Sequence, residues 1–242
     1  MHACQTRRVI DVFAHRGLHI SERENTLAAF RAALALGVDG VELDVRRTRD
    51  GVLVVHHDPT VDSLAIAQNT RSALPHYVPT LVEALESLED VAVNVEIKNA
   101  RGASESYDET GDLARQVLET IGEVGSSQRV GISCFDLATC AYVRSLNREM
   151  SVAWLLWDVA LGDAMVQAHV LGFNAVNPHF STVDADVLER ARELELDVNV
   201  WTVNRVEDLE RMVALNVACI ITDDPALARE VVTRSSPTGT GR

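Results

Sequence analysis

The stretch GVELDVRRTRDGVLVVHHD, residues 40–58, decides how the rest of the chain is read. Residues 40–45 form a β-branched apolar run interrupted by Glu42 and Asp44, and 52–56 form a second run. Between them stands Arg49-Asp50-Gly51, and Asp-Gly between two apolar runs is a hairpin signal. A turn centred there makes the second run return antiparallel to the first, with facing residue numbers summing to about 100. That register brings His57 level with Glu42 and Asp44. The two acids stand two apart on a strand, so both side chains leave the same face.

Outward from this pair of runs, short apolar strands alternate with longer amphipathic segments. The remaining strands are predicted at 9–14, 91–97, 130–134, 152–156, 175–177, 198–202 and 219–222. A helix over 26–36 places Leu27, Phe30, Ala33 and Leu34 on one face. Thr80 and Glu83 form a capping box for a helix over 81–88. Asp136, Asp184 and Asn204 read as N-caps, and Asp224 before Pro225 as another helix start. Eight strand–helix units in 242 residues predict one α/β domain, a TIM-type (β/α)8 barrel over 1–234 with an extra hairpin strand after the second barrel strand. A doubly wound open sheet usually carries a Gly-rich phosphate turn after its first strand. His15-Arg16-Gly17 is not such a turn. Residues 58–79 read as a loop over the same barrel end, and 235–242 as a tail without fixed structure.

Composition narrows the function. The chain is 47% hydrophobic and 24% charged, with a net charge of −14. That acidity argues against nucleic acid and anionic membranes as partners. No apolar run approaches the ~20 residues of a membrane span, and residues 1–10 lack a secretory apolar core, so a cytoplasmic protein without stable membrane insertion is expected. Cys4, Cys134, Cys140 and Cys219 have no metal-ligand spacing and read as reduced, mostly buried thiols. No nucleophile elbow or activated cysteine is present, so nothing supports a covalent mechanism.

The chemistry gathers at predicted strand ends. Glu42, Asp44 and Glu96 face the barrel interior, where carboxylates repel and lose hydration. Either a hard cation such as Mg²⁺ or Ca²⁺ or an internal ion-pair network with Arg16 and Lys98 satisfies them. His15 and His57 suit general acid–base duty better than metal ligation, since the carboxylates already suffice for a cation. Arg16 and Lys98 supply the positive charge that a phosphoryl group needs. Trp201 at a strand end suits an apolar wall for the rest of a substrate, and His179 can reach the same rim. His2, His19, His56, His76 and His169 lack such context. Trp154 and Trp157 read as packing, and Asp223 and Asp224 first as helix caps.

Taken in order, His15-Arg16-Gly17, Glu24-Asn25-Thr26, 40–44, Asp50-Gly51 through His57-Asp58-Pro59-Thr60, Pro79-Thr80-Leu81, Glu96-Ile97-Lys98, Trp201-Thr202-Val203-Asn204 and Ile221-Thr222-Asp223 resemble the glycerophosphodiester phosphodiesterase family over nearly the whole chain. The resemblance implies a TIM-type barrel, a divalent cation (Mg²⁺ or Ca²⁺, with Mn²⁺ an option) on Glu42, Asp44 and Glu96, and His15 and His57 as acid and base. It places Arg16 and Lys98 on the phosphate of a small-molecule glycerophosphodiester. The products it implies are glycerol 3-phosphate and an alcohol. Attack by water and attack by the neighbouring glycerol hydroxyl both fit, as does either histidine as the base. The chain departs from the family pattern at Arg23 (usually Pro), Cys134 (commonly Ser), Asn216 (usually Gly) and Ala218 (usually Asp). It also shortens the insertion after His57-Asp58 to residues 58–79. An open site of that kind fits a phospholipase D-like hydrolase of lysophospholipids or other diesters as an alternative. A metal-dependent aldose isomerase and a ligand-binding pseudoenzyme are more distant ones. Oligomeric state leaves no mark in the sequence.

Overall fold

Eight parallel strands closing on themselves set the frame. A computed structural model describes residues 9–101 and 107–235. The elements run β1 (Asp11–His15), α1 (Leu27–Ala35), β2 (Gly40–Arg47), β3 (Leu53–Val55), β4 (Thr60–Val61), β5 (Leu64–Ala65), α2 (Leu81–Ser87), β6 (Ala92–Ile97), α3 (Asp112–Glu123), β7 (Val130–Cys134), α4 (Leu137–Leu146), β8 (Ser151–Leu156), α5 (Leu161–Val170), β9 (Ala175–Pro178), α6 (Ala185–Glu193), β10 (Asp197–Val200), α7 (Val206–Leu215), β11 (Cys219–Thr222) and α8 (Pro225–Ser235). β1 pairs in parallel with both β2 and β11, so the sheet is a closed (β/α)8 barrel with β3 outside it.

The strands are apolar toward the helices and polar toward the barrel axis. Val41, Leu43 and Val45 join Phe30, Ala33, Leu81 and Leu85 in the fully buried shell between β2 and its helices. The inward residues, spaced two apart, are Gly40, Glu42 and Asp44. Gly40 pairs with Phe13, and a Cβ there would meet the Phe13 ring at 2.4 Å. Within this barrel layer the large ring therefore takes the space that a side chain on Gly40 would need, below Glu42.

The hairpin has the expected register. Val45 pairs with Val55, Arg46 with Val54 and Arg47 with Leu53, and His56 N donates to Asp44 O at 2.9 Å. Gly51 takes φ +82°, a conformation that favours glycine.

Helix starts follow short side chains that accept amide protons. Thr26, Asp136, Asp184 and Asp224 accept from the amides three residues on, and Thr80 and Glu83 form the reciprocal box. Asn204 is not a cap. Its side chain turns to Thr222 and Asp223 instead, and Arg205 precedes α7 without a side-chain cap. Asn216 ends α7 at φ +60°, which explains how Asn stands where the family pattern has Gly.

Residues 58–79 are more ordered than a plain loop. They hold the β4–β5 hairpin and two 3-10 turns, and Val61, Ile66, Leu74 and Val78 bury themselves with Val54 in a small second core. Arg23 bridges to this segment, its guanidinium 3.9 Å from the Tyr77 ring centroid.

Ser235, expected to begin the tail, is the last residue of α8, and 236–242 lie outside the described residues. Cys134, Cys140 and Cys219 are buried free thiols, and Cys4 lies outside the described residues. No helix among the described residues is long and apolar enough to cross a membrane.

Candidate active site

The first turn out of the barrel already departs from ordinary backbone. Arg16 and Gly17 follow β1 at φ +57° and +80°. A Cβ on Gly17 would stand 2.8 Å from the Ala29 backbone, so the chain turns there only with glycine. This turn aims Arg16 back over the barrel. Glu24 clamps its Nη1 at 3.0 and 3.1 Å, and its Nε lies 3.3 Å from Asp44 Oδ2. Asn25, also left-handed at φ +54°, donates Nδ2 to Asp44 Oδ2 at 2.7 Å. In Glu24-Asn25-Thr26 the first residue thus fixes Arg16, the second fixes Asp44 and the third caps α1.

Strand register assembles the acids. β1–β2 pairing sets His15 beside Glu42, and β2–β6 pairing sets Asp44 beside Glu96. Glu42, Asp44 and Glu96 are buried, with one oxygen from each lying within 4.8 Å of the others. Lys98 Nζ reaches Glu96 Oε1 at 2.7 Å and Asp44 Oδ1 at 3.3 Å. Two cations therefore face three carboxylates. Burial, reinforced by repulsion from Asp44 and Glu96, pushes the Glu42 carboxyl well above the usual range. Burial also raises Glu96, although Lys98 opposes it. Burial pushes Asp44 up as well, but Lys98 and Arg16 outweigh it and hold this carboxyl down. Asp44 Oδ1 is buried without accepting a hydrogen bond. A surplus buried carboxylate, three convergent oxygens and an unsatisfied acceptor fit a hard divalent cation.

Both predicted histidines reach one cavity, which is also lined by Arg16, Glu42, Glu96 and Lys98. His57 binds Asp58 Oδ1 through Nδ1 at 2.8 Å. Burial lowers its pKa, and Lys98 and Arg16 add to that against the pull of Asp44, so the ring is neutral at pH 7. His15 binds Asp223 Oδ1 through Nδ1 at 2.6 Å and points Nε2 toward Glu42 Oε2, 3.9 Å away. Asn204 holds the other Asp223 oxygen at 2.6 Å. Asp223 is therefore not a helix cap; Asp224 alone caps α8. Two acids before Pro225 where one cap suffices was the available signal. His19, which had no context in the sequence, lies with Nε2 3.0 Å from Asp223 Oδ1.

The opposite wall is apolar. Trp201, Phe135 and Leu155 line the cavity, with Trp201 anchored by its indole N–H on Asn177 O at 2.7 Å. His179 stands one ring further out, 5.5 Å from Trp201 and 4.6 Å from Trp157 between centroids. Trp154 packs against the core as expected, but Trp157 does not: it is 56% exposed at the rim.

Known proteins share this arrangement of elements. The model of the glycerophosphoryl diester phosphodiesterase family matches residues 15–227. The chain belongs to this family. A curated glycerophosphodiester phosphodiesterase of Caldanaerobacter subterraneus is 31% identical over 235 residues, covering 88% of this chain and 94% of that protein. The crystal structure of a glycerophosphodiester phosphodiesterase from Parabacteroides distasonis superposes with a TM-score of 0.83 at 24% identity, over 94% of this chain and 98% of that one. A phosphodiesterase of Oleispira antarctica, solved with the product sn-glycerol-3-phosphate, superposes at 0.81 with 19% identity, covering 93% and 97%. This enzyme is accordingly a glycerophosphodiester phosphodiesterase.

Proposed function

We propose that this enzyme hydrolyses glycerophosphodiesters to glycerol 3-phosphate and an alcohol with His57 and His15 as the proton-transfer pair and a divalent cation on Glu42, Asp44 and Glu96. The observation that carries the reading is the placement of two histidines, each oriented through Nδ1 by its own carboxylate, around one cavity walled by Arg16 and Lys98. When bound, the cation stabilises charge on the non-bridging phosphate oxygens. Arg16 and Lys98, pinned by Glu24 and Glu96, orient the phosphoryl group beside the acids. The neutral His57 takes the proton from the nucleophile, either water or the neighbouring glycerol hydroxyl. His15 delivers a proton from Nε2 to the departing alcohol oxygen as its bond to phosphorus breaks. If the glycerol hydroxyl attacks, water opens the resulting cyclic phosphate with the two roles exchanged. The product-bound relative from Oleispira antarctica supports the glycerol 3-phosphate assignment. Three buried free thiols suit a reducing, cytoplasmic setting.

One observation favours a second reading of the glycerol part of the substrate. Phe135 and Trp157, 37% and 56% exposed, flank Trp201 with ring centroids 5.5 Å away and form an apolar rim that suits the acyl chain of a lysophospholipid. The test is release of glycerol 3-phosphate from a panel spanning glycerophosphocholine, glycerophosphoethanolamine and lysophospholipids, with Mg²⁺, Ca²⁺, Mn²⁺ or EDTA. Cation-dependent release from the short diesters supports the first reading, and a phosphate monoester retaining the acyl chain supports the second. No turnover of any diester by folded protein refutes both.

A further inference from the structure

A second group of metal-ligating atoms converges beside the carboxylate trio and differs from it in chemistry. One ligand atom from each of His15, His19 and Asp223 lies within 4.8 Å of the others. His15 Nδ1 and His19 Nε2 both face the same Asp223 oxygen, at 2.6 and 3.0 Å, with the two rings nearly perpendicular at 83°. From these atoms we infer a separate inhibitory site for a zinc-class ion, formed by His15, His19 and Asp223.

Outer contacts support the geometry. Metal-bound imidazoles ordinarily have a carboxylate or carbonyl at their other ring nitrogen, and ligating carboxylates are themselves hydrogen-bonded. Glu42 Oε2 stands 3.9 Å from His15 Nε2, Glu24 Oε2 stands 3.6 Å from His19 Nδ1, and Asn204 Nδ2 donates to the second Asp223 oxygen at 2.6 Å. The three side chains are 16%, 18% and 30% exposed, so an ion enters without opening the barrel. Zinc–nitrogen and zinc–oxygen bonds of about 2.0–2.2 Å in tetrahedral geometry separate ligand atoms by roughly 3.3 Å. The two imidazole–carboxylate separations, 2.6 and 3.0 Å, need to open by less than 1 Å to reach that spacing.

Donor chemistry keeps the two sites apart. The all-oxygen trio suits Mg²⁺ or Ca²⁺, whereas two imidazoles and one carboxylate suit zinc, cobalt or nickel. An ion on His15 Nδ1 displaces the hydrogen bond to Asp223 and leaves the ring as the Nε2–H form. That form has no free lone pair to take a proton and no second proton to give. The inhibitory consequence rests on the role proposed above for His15; the binding does not.

The test titrates Zn²⁺ into the full chain held at saturating Mg²⁺. We expect one equivalent bound by calorimetry, a visible tetrahedral d–d absorption when Co²⁺ replaces Zn²⁺, and inhibition of glycerol 3-phosphate release that extra Mg²⁺ does not relieve. His19→Gln keeps the zinc-free rate within about twofold. It loses at least about tenfold in zinc affinity and raises the inhibitory zinc concentration equally, the low end of what even outer-contact changes cost. Inhibition that Mg²⁺ relieves, or that His19→Gln leaves unchanged, overturns the proposal by placing zinc on the carboxylates. No zinc bound, or no tetrahedral cobalt spectrum, in the wild-type chain overturns it without recourse to a variant. Stoichiometry and spectrum need no substrate, so failure of the phosphodiesterase mechanism leaves them readable.

Discussion

Replacing Asp223 by Asn tests the proton-transfer assignment more sharply than deleting a histidine, because the structure dictates which way the new amide points. Asn204 Oδ1 accepts from the residue 223 backbone N–H at 2.9 Å and from Thr222 Oγ1 at 3.1 Å, which fixes Asn204 Nδ2 as the donor toward Asp223 Oδ2 at 2.6 Å. An amide at 223 keeps its oxygen on that donor and therefore turns its NH₂ toward His15 Nδ1. A donor there demands a bare Nδ1, so the neutral ring carries its proton on Nε2 and the doubly protonated ring meets N–H against N–H. The first effect removes a base and the second removes an acid, so the loss appears whichever role His15 plays. Loss of a general acid or base costs typically 10²–10⁴-fold, which is about 2.7–5.5 kcal/mol of barrier. We expect kcat for glycerol 3-phosphate release at saturating Mg²⁺ to fall in that range, with the melting temperature little changed. The exchanged pair, Asp223→Asn with Asn204→Asp, reverses the geometry. The carboxylate now at position 204 accepts from the amide NH₂, the amide oxygen faces Nδ1–H, and kcat recovers at least about tenfold over Asp223→Asn alone. A single variant within threefold of wild type would falsify the role of His15, and a pair that recovers nothing would refute the amide-orientation argument.

Glu42→Gln removes the carboxylate of the trio that neither Arg16 nor Lys98 pairs with; we expect loss of Mg²⁺-stimulated turnover with an unchanged or higher melting temperature, read by a Mg²⁺ titration beside a thermal melt. Gly40→Ala drives a methyl into the Phe13 ring at 2.4 Å and should cost about 1–3 kcal/mol in urea unfolding. Phe13→Leu in the same chain should return part of that cost, and strict additivity of the two changes would contradict the shared-layer account. Asp108 supplies the pH test. Burial raises its carboxyl, but hydrogen bonds from Leu113 N and Thr110, with Arg47 nearby, outweigh that and hold it below the usual value. A depressed folded pKa adds stability above the unfolded value near 3.9 that is lost as pH falls through the folded one. Asp108→Asn should therefore be less stable than wild type by about 1 kcal/mol at pH 7, with the gap closing below about pH 4; a gap that stays constant down to pH 3 contradicts an ionised Asp108 as the acceptor for Thr110 and Leu113 N.

What the sequence revealed and what it hid divide along physical lines. The register from β2 into β3 was legible because a two-residue turn signal leaves one way to fold back, and the observed Val45–Val55 pairing follows from it. Glu42 and Asp44 were legible because strand periodicity puts them on one face with no further assumption. The His15–Asp223 bond spans 208 residues and exists only because the last strand closes on the first, so no local pattern announces it. Asn204 misled for a related reason: an N-cap rule describes competition with local amides, and here tertiary partners at Thr222 and Asp223 won. Trp157 escaped because burial is the default expectation for a large aromatic ring, and a rim next to a ligand cavity is where that default fails.

The barrel divides its labour along its axis. Toward the helices the strands are sealed by apolar side chains, and on the axis the Phe13 ring takes the space left open by Gly40. That packing makes the opposite end tolerant of unfavourable features: left-handed Arg16 and Asn25, three buried acids against two cations, and an Asp44 oxygen that meets Lys98 as an ion pair without a hydrogen bond. Each is costly alone, and each lies within the same small volume as the two histidines. The surplus charge is the most informative of them. An ion-pair network selected for stability would balance Glu42, Asp44 and Glu96 with a third cation or replace one acid by an apolar residue. Retaining the third acid, and raising its pKa by burying it next to two others, makes sense where a divalent cation completes the set during the reaction.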